Sequence, residues 1–152
     1  MRLYVDANVL IKAVEGSGET QSFCRRLLQP HDGVVVVTSE LSVAEVLVGP
    51  FKKRGESIEG PLSSAFMALL RPGGSIDVVP VGRDILIGAA RLRATRPALK
   101  LPDAIHWSTA TASDCTHFVT GDERLLTAAG GVFATVNIDT AGDRTILEPH
   151  LR

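Results

Sequence analysis

Cysteine, aromatic side chains and excess charge are all scarce in this chain. Two cysteines in 152 residues are too few for a disulfide framework, and no C-x-x-C or Cys/His spacing suggests zinc. Cys24 and Cys115 read as small packing residues kept reduced, so a cytoplasmic location is the expectation. Lys and Arg number 16 against 17 Asp and Glu, a formal charge of −1. That balance excludes a generally polybasic nucleic-acid binder and leaves room for a local basic patch. Long apolar runs are missing too. Val34-Val35-Val36-Val37, the longest in the first half, is far below the ~20 residues of a spanning helix. In Met1-Arg2-Leu3-Tyr4-Val5-Asp6 an acid stands where a signal peptide needs apolar residues. No membrane association is expected.

What is present is enough apolar material, 45% of the chain, to exclude a disordered protein and to build one core. A single domain over 1–152 is expected, with 139–152 an unassigned tail. The order of elements is α/β. Leu3-Tyr4-Val5 predicts a first strand, and Asp6 starts a helix carrying Val9, Leu10, Ala13 and Val14 at helical spacing. Phe23, Leu27 and Leu28 mark a second helix. The unalternating valines before Thr38 predict a strand buried on both faces, as in parallel sheets. Thr38 or Ser39 caps a helix with Leu41, Ala44, Leu47 and Val48, and Gly49-Pro50 and Gly55 break the chain after it. A helix through Leu62, Phe66, Leu69 and Leu70 leads to a third strand at Ile76–Pro80. Next come two helices, one through Ile85, Ala89 and Leu92 and one opening at Leu101-Pro102-Asp103. His117–Thr120 is a fourth strand, Gly121-Asp122 opens a short helix, and Val132–Val136 is a fifth strand. Alternation of this kind predicts a mostly parallel five-stranded sheet flanked by helices.

In such sheets ligands bind beyond the carboxyl ends of the strands. Asp6 and Asp122 fall there, Asp103 opens a helix, and Glu45 stands among apolar neighbours, on an exposed face or aimed at a partner. Each has a plainer explanation. Asp6 and Asp103 suit helix N-termini. Thr120-x-x-Glu123 and Ser42-x-x-Glu45 have capping-box spacing, with Asp122 an ordinary first-turn acid. If the four converge, two charges 4 Å apart repel by about 4 kcal/mol at an effective dielectric of 20. A cation or raised pKa values must answer that repulsion. Hard carboxylate oxygens suit Mg2+ or Mn2+, and metal-assisted phosphodiester hydrolysis is the chemistry that ligand set matches best.

With Tyr4-Val5-Asp6-Ala7-Asn8-Val9-Leu10, Ser42-Val43-Ala44-Glu45, Leu101-Pro102-Asp103-Ala104-Ile105-His106 and Phe118-Val119-Thr120-Gly121-Asp122 in that order, the chain resembles PIN-domain ribonucleases of the VapC toxin type. The likeness spans about residues 1–137. It implies an acidic pocket of Asp6, Glu45, Asp103 and Asp122. Asp6 and Asp103 would be the chief ligands of Mg2+, for which Mn2+ can substitute. Glu45 and Asp122 would complete the site directly or through water, with Asn8 and Thr120 in support. It further implies an RNA substrate (tRNA, rRNA or mRNA), a VapB-type antitoxin partner and a homodimer.

Around these acids, His106 shares a helix face with Asp103. It either contacts substrate or adjusts a neighbouring carboxylate, or it is a core histidine. Trp107 stacks on a base or packs. Arg25-Arg26, Lys52-Lys53-Arg54 and Arg91-x-Arg93-x-x-Arg96 are the basic clusters that could meet phosphate. Phe23, Phe51 and Phe66 with Leu27, Leu62 and Leu69 suit helix packing or a groove for an antitoxin. A haloacid-dehalogenase-like phosphohydrolase is the alternative, although its D-x-D motif meets Asn8. A PIN-like module that only binds RNA or protein would gain little from clustered like charges.

Overall fold

A computed structural model describes residues 1–129 and 131–152. Five strands form the sheet: β1 (Arg2–Val5), β2 (Val35–Ser39), β3 (Ile76–Val79), β4 (His117–Thr120) and β5 (Ala134–Asn137). Their order is β3-β2-β1-β4-β5 and every pairing is parallel. The helices are α1 (Ala7–Glu15), α2 (Gly18–Leu27), α3 (Leu41–Arg54), α4 (Pro61–Leu69), α5 (Arg83–Thr95), α6 (Leu101–Ala112), α7 (Glu123–Ala129) and α8 (Ala141–Leu147). No helix among the described residues is long and apolar enough to cross a membrane.

Alternation along the strands divides the core. Leu3 and Val5 of β1, Val36 of β2 and Val119 of β4 pack with α1 to α4 on one face. Tyr4, Val37 and Phe118 point to the other face, against Trp107, Leu125 and Phe133. Both faces are covered, which is why these strands read as continuous apolar runs. Phe23, Leu27 and Phe66 lie in the first of these cores. The apolar groove read from the sequence therefore keeps only Phe51, 44% exposed, as an open aromatic.

Several boundaries differ from expectation: β5 begins at Ala134 and ends at Asn137, where Val132–Val136 was expected. Gly49-Pro50 does not end α3, which runs on to Arg54 and stops at Gly55. Gly55 has φ +60°, a left-handed conformation that favours glycine. The tail after Asn137 is also built into the fold. Leu147 of α8 and Leu151 are buried in the core, and Arg144, 8% exposed, donates to the carbonyl of Ile138 at 2.9 Å and to Glu19 at 3.2 Å. Leu147→Ala is expected to cost about 2–5 kcal/mol, measured by urea unfolding; a loss under about 0.5 kcal/mol, the range of surface substitutions, would make the tail an accessory.

The chain lays down β1, β2 and β3 in one direction and returns to place β4 on the other side of β1. The sheet's direction of growth therefore reverses between β1 and β4, and the crevice beyond their carboxyl ends is the expected ligand position.

Candidate active site

Asp6 follows the last residue of β1 and caps α1. Its Oδ1 accepts from the backbone N–H of Asn8 at 3.1 Å and of Val9 at 3.4 Å. Thr120, the last residue of β4, donates its hydroxyl to Asp6 Oδ2 at 2.5 Å. Asp6 is 6% exposed and joins no ion pair among the described residues. Burial pushes its pKa up to about 6. The Thr120 bond and the Val9 N–H oppose that rise, as a protonated His106 would, and the Glu45 charge adds to it. The helix-capping reading of Asp6 thus holds, and the carboxylate is buried at the end of β1.

Glu45, on α3, is aimed inward at a partner. Its Oε2 lies 2.7 Å from His106 Nε2, and His106 Nδ1 lies 2.7 Å from the Tyr4 hydroxyl. His106 is 3% exposed and Tyr4 fully buried. Burial holds Tyr4 protonated, its pKa well above the usual phenol range. Its O–H then donates to Nδ1, and Nε2–H donates to the Glu45 carboxylate, so the phenol and both ring nitrogens have partners. His106 is thus the group that orients a carboxylate, not a core histidine bonded to backbone. His106→Ala removes the 2.7 Å partner of the Tyr4 hydroxyl and leaves a void beside it. A loss of about 2–4 kcal/mol is expected in chemical denaturation, and unchanged stability would show that the trio holds nothing together.

Asp103 and Asp122 meet through Arg124, a residue without a sequence signal. Arg124 Nη2 donates to Asp103 Oδ2 at 3.1 Å and to Asp122 Oδ2 at 3.2 Å. Asp103 also accepts from Lys100 N at 3.3 Å at the start of α6. Asp122 caps α7, its Oδ1 accepting from Arg124 N and Leu125 N. The capping box read between Thr120 and Glu123 is therefore replaced by an Asp122 cap. Thr120 Oγ1 accepts from Asp122 N at 3.0 Å while donating to Asp6. Ser42, likewise, is no cap: it is buried within α3, bonded to Thr38 Oγ1 at 2.8 Å.

Hydrogen bonds therefore tie Asp6 through Thr120 to Asp122, and Asp122 through Arg124 to Asp103. Glu45 is close enough to bear on Asp6 electrostatically. Among the described residues, no three His, Cys, Asp or Glu side chains stand in an arrangement that could hold one metal ion. His106 and Arg124 supply the counter-groups instead. The donor chemistry nonetheless fits a hard divalent cation: a buried carboxylate without an ion-pair partner, and beyond it an unpaired amide oxygen. Asn8 Oδ1 is buried with no hydrogen-bond partner among the described residues. A Cβ at Gly121 would stand 2.5 Å from it and 2.8 Å from Asp139 Oδ2, so a side chain there would displace one of these oxygens, and Asp139 lies at the same rim. Asp139 had no sequence signal, lying in a stretch without period.

The other residues singled out fall into place around the acids. Trp107 is 2% exposed, packed edge-on against Phe133 at 5.9 Å between centroids. Base stacking on it is excluded by burial, and packing is its role. Arg25 and Arg93 bind backbone carbonyls of Ala13 and Leu99, and Arg26 pairs with Glu148 at 3.4 Å. Lys52, Lys53 and Arg54 are exposed at the end of α3.

Residues 3–131 match the PIN domain family model, and the chain belongs to that family. This membership displaces the haloacid-dehalogenase alternative. No curated protein sequence matches the chain. Among solved structures, a chain of a toxin-antitoxin complex from Klebsiella pneumoniae is 23% identical, with a TM-score of 0.63 over 90% of this chain and 97% of that one. VapBC2 from Rickettsia felis, bound to a DNA fragment from their promoter, matches at 13% identity and a TM-score of 0.67, covering 90% and 98%. VapC20 from Mycobacterium tuberculosis, a Sarcin-Ricin loop cleaving toxin, matches at 18% and 0.64, covering 84% and 95%. At these identities the likeness is one of fold.

Proposed function

We propose that this protein is a divalent-cation-dependent endoribonuclease and the toxin of a type II toxin–antitoxin pair, working in the cytoplasm. The observation that carries the catalytic part is Asp6. It is a buried carboxylate at the point where the sheet reverses, without an ion-pair partner among the described residues, next to a second pair of acids. Burying a charge in that way is costly unless something answers it. Asp6 and Asp103 would hold Mg2+ or Mn2+, with Glu45 and Asp122 joining directly or through water. Bound there, the ion would lower the pKa of a water and neutralise charge developing on a phosphate.

The chain's own residues do the rest. Thr120 fixes Asp6 Oδ2 and so sets the direction of the free lone pairs. Glu45, aimed by His106, is the group that takes the proton from an attacking water. Arg124 balances Asp103 and Asp122 and must release at least one of them when a cation enters.

The toxin assignment rests on fold likeness to toxin–antitoxin proteins and on an open apolar surface. Val48 and Phe51, one turn apart on α3, and Ile58 beyond it are 58%, 44% and 45% exposed, apolar side chains open to a VapB-type antitoxin or to a second copy in a homodimer. The nuclease reading is tested by incubating the protein with tRNA, rRNA and mRNA in Mg2+ and resolving the products. Discrete cuts that disappear in Asp103→Asn are expected. Intact RNA in every case would leave a PIN-like binding module.

A further inference from the structure

Any RNA that reaches these acids brings negative charge of its own. Phosphate contacts supply most of the affinity for nucleic acid, so a cation is needed at the mouth of the site. Most of the basic side chains described above are committed elsewhere. Arg25 and Arg93 are bound to backbone carbonyls, Arg26 to Glu148, and Arg124 to Asp103 and Asp122. Lys53 lies about 12 Å along α3 from Glu45, at a rise of about 1.5 Å per residue.

Lys12 is placed differently. It stands on α1, the helix that Asp6 caps, four residues after Asn8 and so on the same face. That face meets Gly121, the residue after Thr120: the Cβ missing from Gly121 would collide with Asn8 Oδ1 and with Asp139 Oδ2. With its other oxygen Asp139 faces the Lys12 ammonium, Oδ1 lying 3.7 Å from Nζ. The backbone N–H of Asp139 donates to Asn137 Oδ1 at 2.9 Å, which holds this acid just beyond the end of β5. A continuous rim therefore runs from Asp6 through Thr120 and Gly121 to Asp139 and Lys12.

The ammonium is available. At 3.7 Å its pair with Asp139 is longer than a hydrogen bond, and Nζ has no other partner among the described residues, so its three N–H donors are uncommitted. Both side chains are partly exposed, 40% and 45%, and an ion pair open to water is weak enough for a phosphate to displace. On the ribonuclease reading above, we propose that Lys12 is a substrate-positioning residue: its ammonium leaves Asp139 for a backbone phosphate neighbouring the one that is cut. Asp139 holds the flexible lysine stem at the rim until RNA arrives. A plainer role, that of a last-turn cation answering the α1 dipole, would show in stability and leave RNA affinity alone.

The test reads fluorescence anisotropy of a labelled single-stranded oligouridylate binding to the full chain in EDTA over a range of KCl. Lys12→Gln is expected to weaken binding about five- to tenfold at about 50 mM KCl, and to lower the slope of log Kd against log[KCl] by about 0.7, the share of one phosphate contact on a single strand. Lys12→Arg should restore both, and Lys53→Gln should change neither. An unchanged slope in Lys12→Gln, no rescue by Lys12→Arg, an equal loss in Lys53→Gln, or a parent that does not bind overturns the proposal. Cleavage of RNA in Mg2+ fails separately. A parent that cuts, with KM raised and kcat kept in Lys12→Gln, supports both readings. Cutting with an unchanged KM in that variant removes the role of Lys12 alone; binding that depends on Lys12 without cutting under any divalent cation removes the nuclease reading alone.

Discussion

Asp6→Asn is expected to lose RNA cleavage by at least about 10³-fold, the scale of one essential electrostatic group, and yet to melt several degrees above the parent at pH 7.5 in EDTA. The two effects share one cause. Burial raises the Asp6 pKa to about 6, against an unfolded value near 3.8, so the native state holds this proton more tightly than the unfolded chain. Native protein therefore binds more protons between about pH 4 and pH 6, and stability falls as pH rises through that window. Above it the full penalty remains, on the order of 3 kcal/mol. Asparagine keeps the shape of the side chain and removes the charge. For a chain of this size each kcal/mol moves the melting temperature by about 2–4 °C. Melting the two proteins at pH 4 and pH 7.5 reads the effect directly. A gain confined to the higher pH supports the account, and a lower melting temperature at both would mean that the carboxylate is structurally required.

The second large effect is that of the cation. EDTA is expected to stop cleavage, and Mg2+ or Mn2+ to restore it. Activity alone does not say where an ion acts, so stability is the better reporter. An ion bound only by the native state stabilises it by mass action, by about 2.7 kcal/mol at a hundred times its dissociation constant. Thermal protection by Mg2+ should be present in the parent at pH 7.5, shrink as pH falls through 6 and Asp6 takes up its proton, and be absent in Asp6→Asn. Arg124→Ala should strengthen protection, because Asp103 and Asp122 lose the cation that now bridges them. Protection of equal size in parent and Asp6→Asn would place the ion elsewhere.

Sequence carried the order of the elements better than the wiring between them. Asp6 was legible as a helix cap because an acid directly after an apolar strand has few roles, and it does cap α1. The alternating β/α order pointed to the parallel sheet because strands covered on both faces cannot alternate polar with apolar residues. Arg124 was not legible. Two residues after Asp122 in a helix's first turn it looks like any solvated arginine, and only the fold brings Asp103, 21 residues away, to it. The Tyr4–His106 bond spans 102 residues. Sequence could place His106 beside Asp103 on α6 without choosing between a substrate contact, a carboxylate partner and a core role. Residues 139–152 carried no signal because α8 has seven residues, too few for a period, and is held by Leu147 and by the buried Arg144.

Manganese binding measured by electron paramagnetic resonance at pH 7.5 bears most directly on whether these acids serve a cation. The parent should deplete the free Mn2+ signal, which excess Mg2+ restores, and both Asp6→Asn and Asp103→Asn should leave that signal undiminished while keeping the parent's fold. Undiminished Mn2+ binding in both variants, or none in the parent, would contradict the account.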